Sequence, residues 1–392
     1  MQITFNSPYQ MLLGPAGSGK TTYIQSLSRA LITSSTGVSA INAGGTTIHA
    51  ALQFFDTTSL LRSASSGKLT TQLQAISNAF DTLVIDEISM LHGPQLAIIH
   101  HVMEKSNINM NLLLVGDFCQ LPLVPDKKVT STAVYQTDCL QSFDIQYLRE
   151  VRRQSDPGFI QALTSVREGR PHEAVDWFMD NVEFVNQIDD NYAGTTILTT
   201  NDSVDRYNAV HLAQLEGPSR LYTKNYVIPK GGRAAPEWGQ IPESVELRKG
   251  ARVILLRNRL PTYANGDIAV VKELMTNTIL VTVERTGQET IIEYVTRDNK
   301  ELGTNKLLGR CHYLPVRLGY ALTVHRSQGL TLNNVQARLS NLRWLSGGLY
   351  TILSRVRHYS GLRLIGTRST FCDSCYIEPS ILKFYNQLGT KS

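Results

Sequence analysis

Little in this sequence points to a membrane or to a secreted fold. No apolar run approaches the ~20 residues of a membrane-spanning helix, and the N-terminus lacks the charged and apolar regions of a signal peptide. A soluble, intracellular protein without membrane partners is therefore expected. Cysteine is scarce: five among 392 residues, odd in number and scattered, which argues against a disulfide framework. Cys372 and Cys375 form a lone CxxC with no second pair to complete a zinc site, and read as reduced thiols. There is no repeat of solenoid period and no low-complexity tail. Acidic residues are missing from one long stretch: between Lys300 and Phe371 eleven Lys or Arg face a single acid, Glu301. The net charge of +5 is mild, but such one-sided clustering marks a polyanion-binding face.

What is present begins with Gly14-Pro15-Ala16-Gly17-Ser18-Gly19-Lys20-Thr21-Thr22, a phosphate-loop pattern of Gly, four residues, then Gly-Lys-Thr. Met11, Leu12 and Leu13 before it read as the end of a buried strand. Ile24, Leu27, Ala30 and Leu31 after it recur at helical spacing. Strand, glycine loop and helix together turn backbone N–H groups and a helix dipole toward a phosphate. Lys20 is expected to reach the outer phosphates of ATP, and the Thr21 hydroxyl to bind Mg²⁺.

A chain of this length is expected to hold two domains or more. Thr82 to Asp86 is an apolar run ending in the acids Asp86 and Glu87, the pattern of a buried parallel strand whose tip enters a site. Asp86 is the expected second metal ligand, and Glu87 the group that orients and polarises the attacking water. Asn111 to Val115 repeats the form and opens into Gly116-Asp117-Phe118-Cys119-Gln120, where Gln120 is placed to sense the γ-phosphate or its water. A doubly wound α/β domain is expected over residues 1–150, with a small insertion at about 52–80. A second α/β unit, residues 151–244 and 316–392, is interrupted by short β-rich runs separated by turns such as Asn265-Gly266. Ile279, Val281 and Val283 alternate strictly, so a small antiparallel barrel is expected at residues 245–315.

With these residues in hand the chain resembles the PIF-type DNA helicases of superfamily 1, akin to RecD and the phage Dda helicase. The resemblance runs through GPAGSGKT, STGVSAINAGGTTIH, LVIDEISML, GDFCQLP, LREVRRQ, NGDIAVV, LTVHRSQGLT and YTILSRVR, almost the whole chain. It implies two RecA-like domains with an SH3-like barrel inserted in the second. It also implies ATP hydrolysis in the cleft between them and 5′-to-3′ movement along single-stranded DNA, with unwinding of forked or tailed duplexes. By motif, Arg153 and Arg355 would reach the γ-phosphate, while Thr36, Gly37, Thr47, His49, Thr323, His325 and Ser327 would line the DNA track. Phe54 and Phe55 are candidates for stacking on a base or splitting the fork, or else for the core of the insertion.

Two departures stand out: Leu123 replaces a second proline, and only thirteen residues precede Gly14, where the family carries a Gln-bearing segment that reads the adenine. Gln2 and Gln10 lie too near the loop for that task, so relaxed base selectivity is expected. A monomer is expected. The competing readings are an RNA helicase of superfamily 1 and a DNA-binding subunit that uses nucleotide without unwinding.

Overall fold

The computed structural model describes residues 6–36, 39–40, 43–123, 132–235, 238–239, 241–257, 259, 261–263, 265–300 and 306–389. Six strands build the first sheet: β1 (Tyr9–Leu13), β2 (Ala30–Ser34), β3 (Thr46–Thr47), β4 (Thr82–Asp86), β5 (Asn111–Gly116) and β6 (Asp144–Tyr147). Their order is β3-β2-β4-β5-β1-β6, and every pairing is parallel. The central strands are apolar because both faces of a parallel sheet are covered: Leu12, Leu83, Val84, Ile85 and Leu112 are wholly buried. β1, β4 and β5 are evident as apolar runs, but β2 is not: Ala30 and Leu31 recur at helical spacing after the phosphate loop, whereas the helix ends at Gln25 and these two residues open the strand. Nor are the two edge strands: β3 has two residues, and the β6 side chains are only partly buried.

Helices Thr57–Ser65 and Lys68–Ala79 form the insertion. Asp56 starts the first by accepting from the Ser59 N–H, and Gly67 at φ 76° turns the chain into the second.

Next come β7 (Glu183–Val185) and β8 (Thr195–Leu198), and then a run of antiparallel strands that starts before residue 245. These are β9 (Arg220–Thr223), β10 (Asn225–Val227), β11 (Ser244–Leu247), β12 (Arg252–Leu255), β13 (Ile268–Leu274), β14 (Thr278–Val283), β15 (Glu289–Glu293), β16 (Val295–Lys300), β17 (Leu307–Tyr313) and β18 (Val316–Leu318). Five of them make a sheet of order β15-β14-β13-β12-β18, with Ile279, Val281 and Val283 on its buried face. A three-stranded sheet β10-β17-β16 and the pair β11-β9 accompany it.

The parallel unit then resumes with β19 (Ala321–Thr323), β20 (Val335–Arg338) and β21 (Leu362–Ile365), giving the parallel order β19-β8-β20-β21-β7. Val316 to Val324, which reads as one strand, is split: β18 pairs antiparallel with β12, and β19 pairs parallel with β8.

The last helix, Pro379–Gly389, returns to the first sheet. Ile377 and Ile381 are buried in the same cluster as Met11 and Leu112. Among the described residues no helix is long and apolar enough to cross a membrane.

Candidate nucleotide cleft and nucleic-acid track

The phosphate loop leaves β1 and enters the helix Lys20–Gln25. Gly17 sits at φ 77°, where a Cβ would lie 2.5 Å from the Cβ of Arg153, so only glycine fits. Lys20 Nζ donates to the carbonyls of Gly14 (2.6 Å) and Pro15 (2.8 Å), folded back over its own loop. Burial lowers its pKa, opposed by Asp117, Glu87 and Asp86.

Opposite, at the tip of β4, Asp86 and Glu87 are adjacent and enclosed. Burial first, and Glu87 second, raise the Asp86 carboxyl to about 7. Burial also raises Glu87, while Lys20, Arg355 and a hydrogen bond from Gln328 hold it down. Such shifts belong to paired carboxylates in an enclosed site, and a divalent cation would reverse them. The donors here, the Asp86 carboxylate and the Thr21 hydroxyl on the cleft wall, are hard oxygens that suit Mg²⁺. Among the described residues no cluster of three His, Cys, Asp or Glu offers an all-protein metal cage. A cation here would therefore need phosphate oxygens as further ligands.

The second parallel unit supplies the far wall of a cleft of ≈ 380 Å³. Arg355 is 1% exposed and directs its guanidinium inward, donating to Thr351 O (2.7 Å), Ser354 Oγ (2.7 Å) and, at 3.5 Å, Gln120 Oε1. Arg153 Nη1 donates to Ser354 O (2.7 Å), and burial, with Arg355 nearby, lowers its pKa to about 9. Two buried guanidiniums that destabilise each other form a site that an anion would relieve. Arg152 also lines the cleft but pairs with exposed Glu150. Lys20, Glu87, Gln120, Arg153 and Arg355, expected from sequence to act together, thus share one cavity, as do Ala16 to Thr22. Gly14 and Pro15 meet it through the carbonyls that hold Lys20.

Three long-range contacts were not read from sequence. Across the cleft the Ala16 N–H donates to the Tyr350 hydroxyl (2.8 Å) and Gln328 Nε2 donates to Glu87 Oε2 (2.9 Å), while within the second unit Gln154 Nε2 donates to Val356 O (2.7 Å). Gly347, at φ 69°, lets the second unit approach so closely that a Cβ would sit 2.3 Å from Gln120 O. Glutamines and a tyrosine within ordinary-looking motifs gave no signal of partners more than 200 positions away.

The residues expected to line the DNA track fall into two matching places. Thr47 ends β3, an edge strand of the first sheet, and Thr323 ends β19, an edge strand of the second. Each caps a four-residue helix: Thr47 Oγ1 accepts from the Ala50 N–H (3.1 Å), and Thr323 Oγ1 accepts from the Arg326 N–H (3.1 Å). Each is followed by a β-branched residue and a histidine, in Thr47-Ile48-His49 and Thr323-Val324-His325. Burial, aided by His92, depresses His49 to about 4, and burial lowers His325 too, so both are neutral near pH 7. Thr36 accepts from the Ser39 N–H (3.2 Å). Gly37 lies outside the described residues. Ser327 departs from expectation: it is wholly buried and its hydroxyl donates to Val324 O (2.7 Å), so its side chain holds the turn together. The phenylalanine pair separates, with Phe54 2% exposed against the His49 ring and Phe55 86% exposed.

A phosphate loop on one parallel sheet and a buried arginine from a second, facing each other across a cleft, are the parts of a nucleotide-hydrolysing motor. Residues 1–190 match the family model described as an AAA domain. The chain is 29% identical over 407 residues to the ATP-dependent DNA helicase Pif1 of Bdellovibrio bacteriovorus, covering 96% of this chain and 88% of that protein. Its fold is similar to that of Bacteroides sp. Pif1 in complex with ADP-AlF4, with a TM-score of 0.80 at 24% identity over 99% of this chain and 95% of that one. A Bacteroides Pif1 structure with ADP-AlF3 and single-stranded DNA matches with a TM-score of 0.64 at 24% identity, over 98% and 94% of the two chains. The chain is thus similar, over almost its whole length, to PIF1-type DNA helicases.

Proposed function

We infer that this chain is an ATP-dependent DNA helicase that moves 5′ to 3′ on single-stranded DNA. The observation that carries this reading is the cleft, whose hydrolytic residues come from both parallel sheets, so closing on a nucleotide is necessarily a movement between domains. The relatives support DNA as the polymer: one is named a DNA helicase and one was solved with single-stranded DNA.

Lys20 would leave the Gly14 and Pro15 carbonyls to meet the phosphates, and Thr21 with Asp86 would hold Mg²⁺, which would supply charge neutralisation. Glu87 orients the water, Gln120 senses the γ-phosphate, and Arg153 and Arg355 stabilise the charge that develops on the transferred group. Thr36, Gly37, Thr47, His49, Thr323 and His325 grip the strand without reading its sequence. The working units are residues 1–150, then 151–244 with 316–392, and a barrel at 245–315 to which the five-stranded antiparallel sheet contributes. The protein acts as a monomer inside the cell.

The test is strand displacement on duplexes with a 5′ or a 3′ single-stranded tail, alongside hydrolysis stimulated by DNA or RNA. Unwinding from the 5′ tail alone, driven by DNA-stimulated hydrolysis, is expected. Lys20→Ala should abolish turnover, and Glu87→Gln should lose turnover while still binding nucleotide. Displacement from the 3′ tail would reverse the direction, and stronger stimulation by RNA would change the substrate.

A further inference from the structure

Glu87 is pinned at its backbone and held by one contact at its carboxylate. Its N–H donates to Asp86 Oδ1 (2.8 Å), its carbonyl accepts from Ser35 Oγ (2.6 Å), and its φ of 53° is left-handed. The carboxylate itself accepts from Gln328 Nε2 at 2.9 Å. Gln328 is 2% exposed and belongs to the other parallel unit. It directly follows the turn Thr323 to Ser327, which three internal hydrogen bonds make one rigid piece. They run from the Arg326 N–H to Thr323 Oγ1, from Ser327 Oγ to Val324 O, and from the Gln328 N–H to His325 O.

We propose that Gln328 is a positioning residue that restrains Glu87, so that DNA engaging the Thr323–His325 turn sets how freely Glu87 can serve the attacking water. The inference rests on the reading of the chain as a DNA-stimulated ATPase. Chemically, an amide N–H on Oε2 occupies a lone pair that the water would use. Mechanically, the amide is carried by the residue that directly follows the turn, and the turn carries the candidate DNA contacts. A displacement of Thr323 or His325 therefore moves the backbone of Gln328 and, through its hydrogen bond, bears on the Glu87 carboxylate.

The experiment compares wild type with Gln328→Met, which keeps side-chain length but removes the donor, and with Gln328→Lys, which restores a donor at similar reach. Steady-state ATP hydrolysis is measured with and without single-stranded DNA. Gln328→Met should raise DNA-independent kcat by about threefold to tenfold, leave KM for ATP within about twofold, and shrink the DNA stimulation in proportion. Gln328→Lys should return the DNA-independent rate to the wild-type level or below. Equal loss of both rates in Gln328→Met would make Gln328 an aid to catalysis rather than a restraint and overturn the proposal. Unchanged rates would overturn it equally. Should Gln328→Met fold poorly, a raised DNA-independent rate in Gln328→Lys would be the contrary result. Wild-type enzyme that DNA does not stimulate would count against the proposed function itself, a failure visible before any variant is made.

Discussion

His49 shows how one burial decision reaches into solution behaviour. Its ring sits 4.4 Å from the Phe54 ring, and burial with His92 nearby depresses its pKa to about 4. An unfolded histidine titrates near 6.5, so between about pH 6.5 and 4 the unfolded chain binds the extra proton and the fold loses stability as pH falls. Asp86, raised to about 7, works in the opposite sense, because its ionised form is the strained one and acid relieves it. The wild-type pH profile is therefore a mixture, and only a difference isolates the histidine. In metal-free buffer, His49→Gln should flatten the fall of melting temperature between pH 6.5 and 4.5. Parallel profiles for the two proteins would mean that His49 is not held neutral. The Thr-Ile-His motif stood out in the sequence as a candidate DNA contact, but its titration was not legible, because desolvation depends on what packs over the ring.

Short elements carry the candidate DNA track. A four-residue helix has no cooperative stability of its own, so its cap decides whether it forms. Thr323 supplies that cap to Arg326 at the end of β19. Thr323→Ala removes both the cap, worth about 1 kcal/mol, and a hydroxyl that can donate to a phosphate. Thr323→Ser keeps both. The expected order is wild-type DNA affinity and stimulation in Thr323→Ser, and loss of both by about tenfold in Thr323→Ala, measured by fluorescence anisotropy and ATP hydrolysis. An alanine variant that binds as well as the serine variant would leave the cap without a functional role. Sequence could not separate a capping threonine from a DNA-gripping one, and a hydroxyl oxygen that accepts the cap N–H still carries a proton it can donate.

At the scale of the whole molecule, the C-terminal helix ties the chain's end back to its beginning. Tyr385 donates to Asp117 Oδ1 (3.0 Å) and accepts from the Phe118 N–H (3.1 Å), while Asp117 forms a buried pair with Arg167 (2.7 Å). Asp117 opens the loop that presents Gln120 to the cleft, so the residue proposed to sense the γ-phosphate is braced by a helix from the far end of the sequence. Tyr385→Phe should lower stability by about 1–2 kcal/mol, since it strips a partner from a buried carboxylate. The reading is a lower urea midpoint with the slope unchanged. Tyr376→Phe, whose hydroxyl meets only exposed Glu378, serves as the control and should leave the midpoint where it is. A Tyr385→Phe midpoint equal to that of the control would mean the brace contributes nothing.

The amino-acid order by itself determined the central strands β1, β4 and β5, the phosphate loop, the acids at the tip of β4 and the alternation that buries Ile279, Val281 and Val283. Each of these is a local pattern, in which apolar runs, periodicity of two and glycine-rich turns constrain a few consecutive residues. Tertiary structure alone decided the matters that join distant positions. It placed Gln328 on Glu87, Tyr350 on Ala16 and the last helix against β1 and β5, and it buried Ser327 and Phe54 while leaving Phe55 in solvent. The same absence of a local signal hid the edge strands β3, β6 and β7, since a strand of two to four residues with one covered side lacks the continuous apolar run that marks a central one. The contacts between the units depend on how two sheets meet, and a pattern read within one window of sequence contains no term for that meeting.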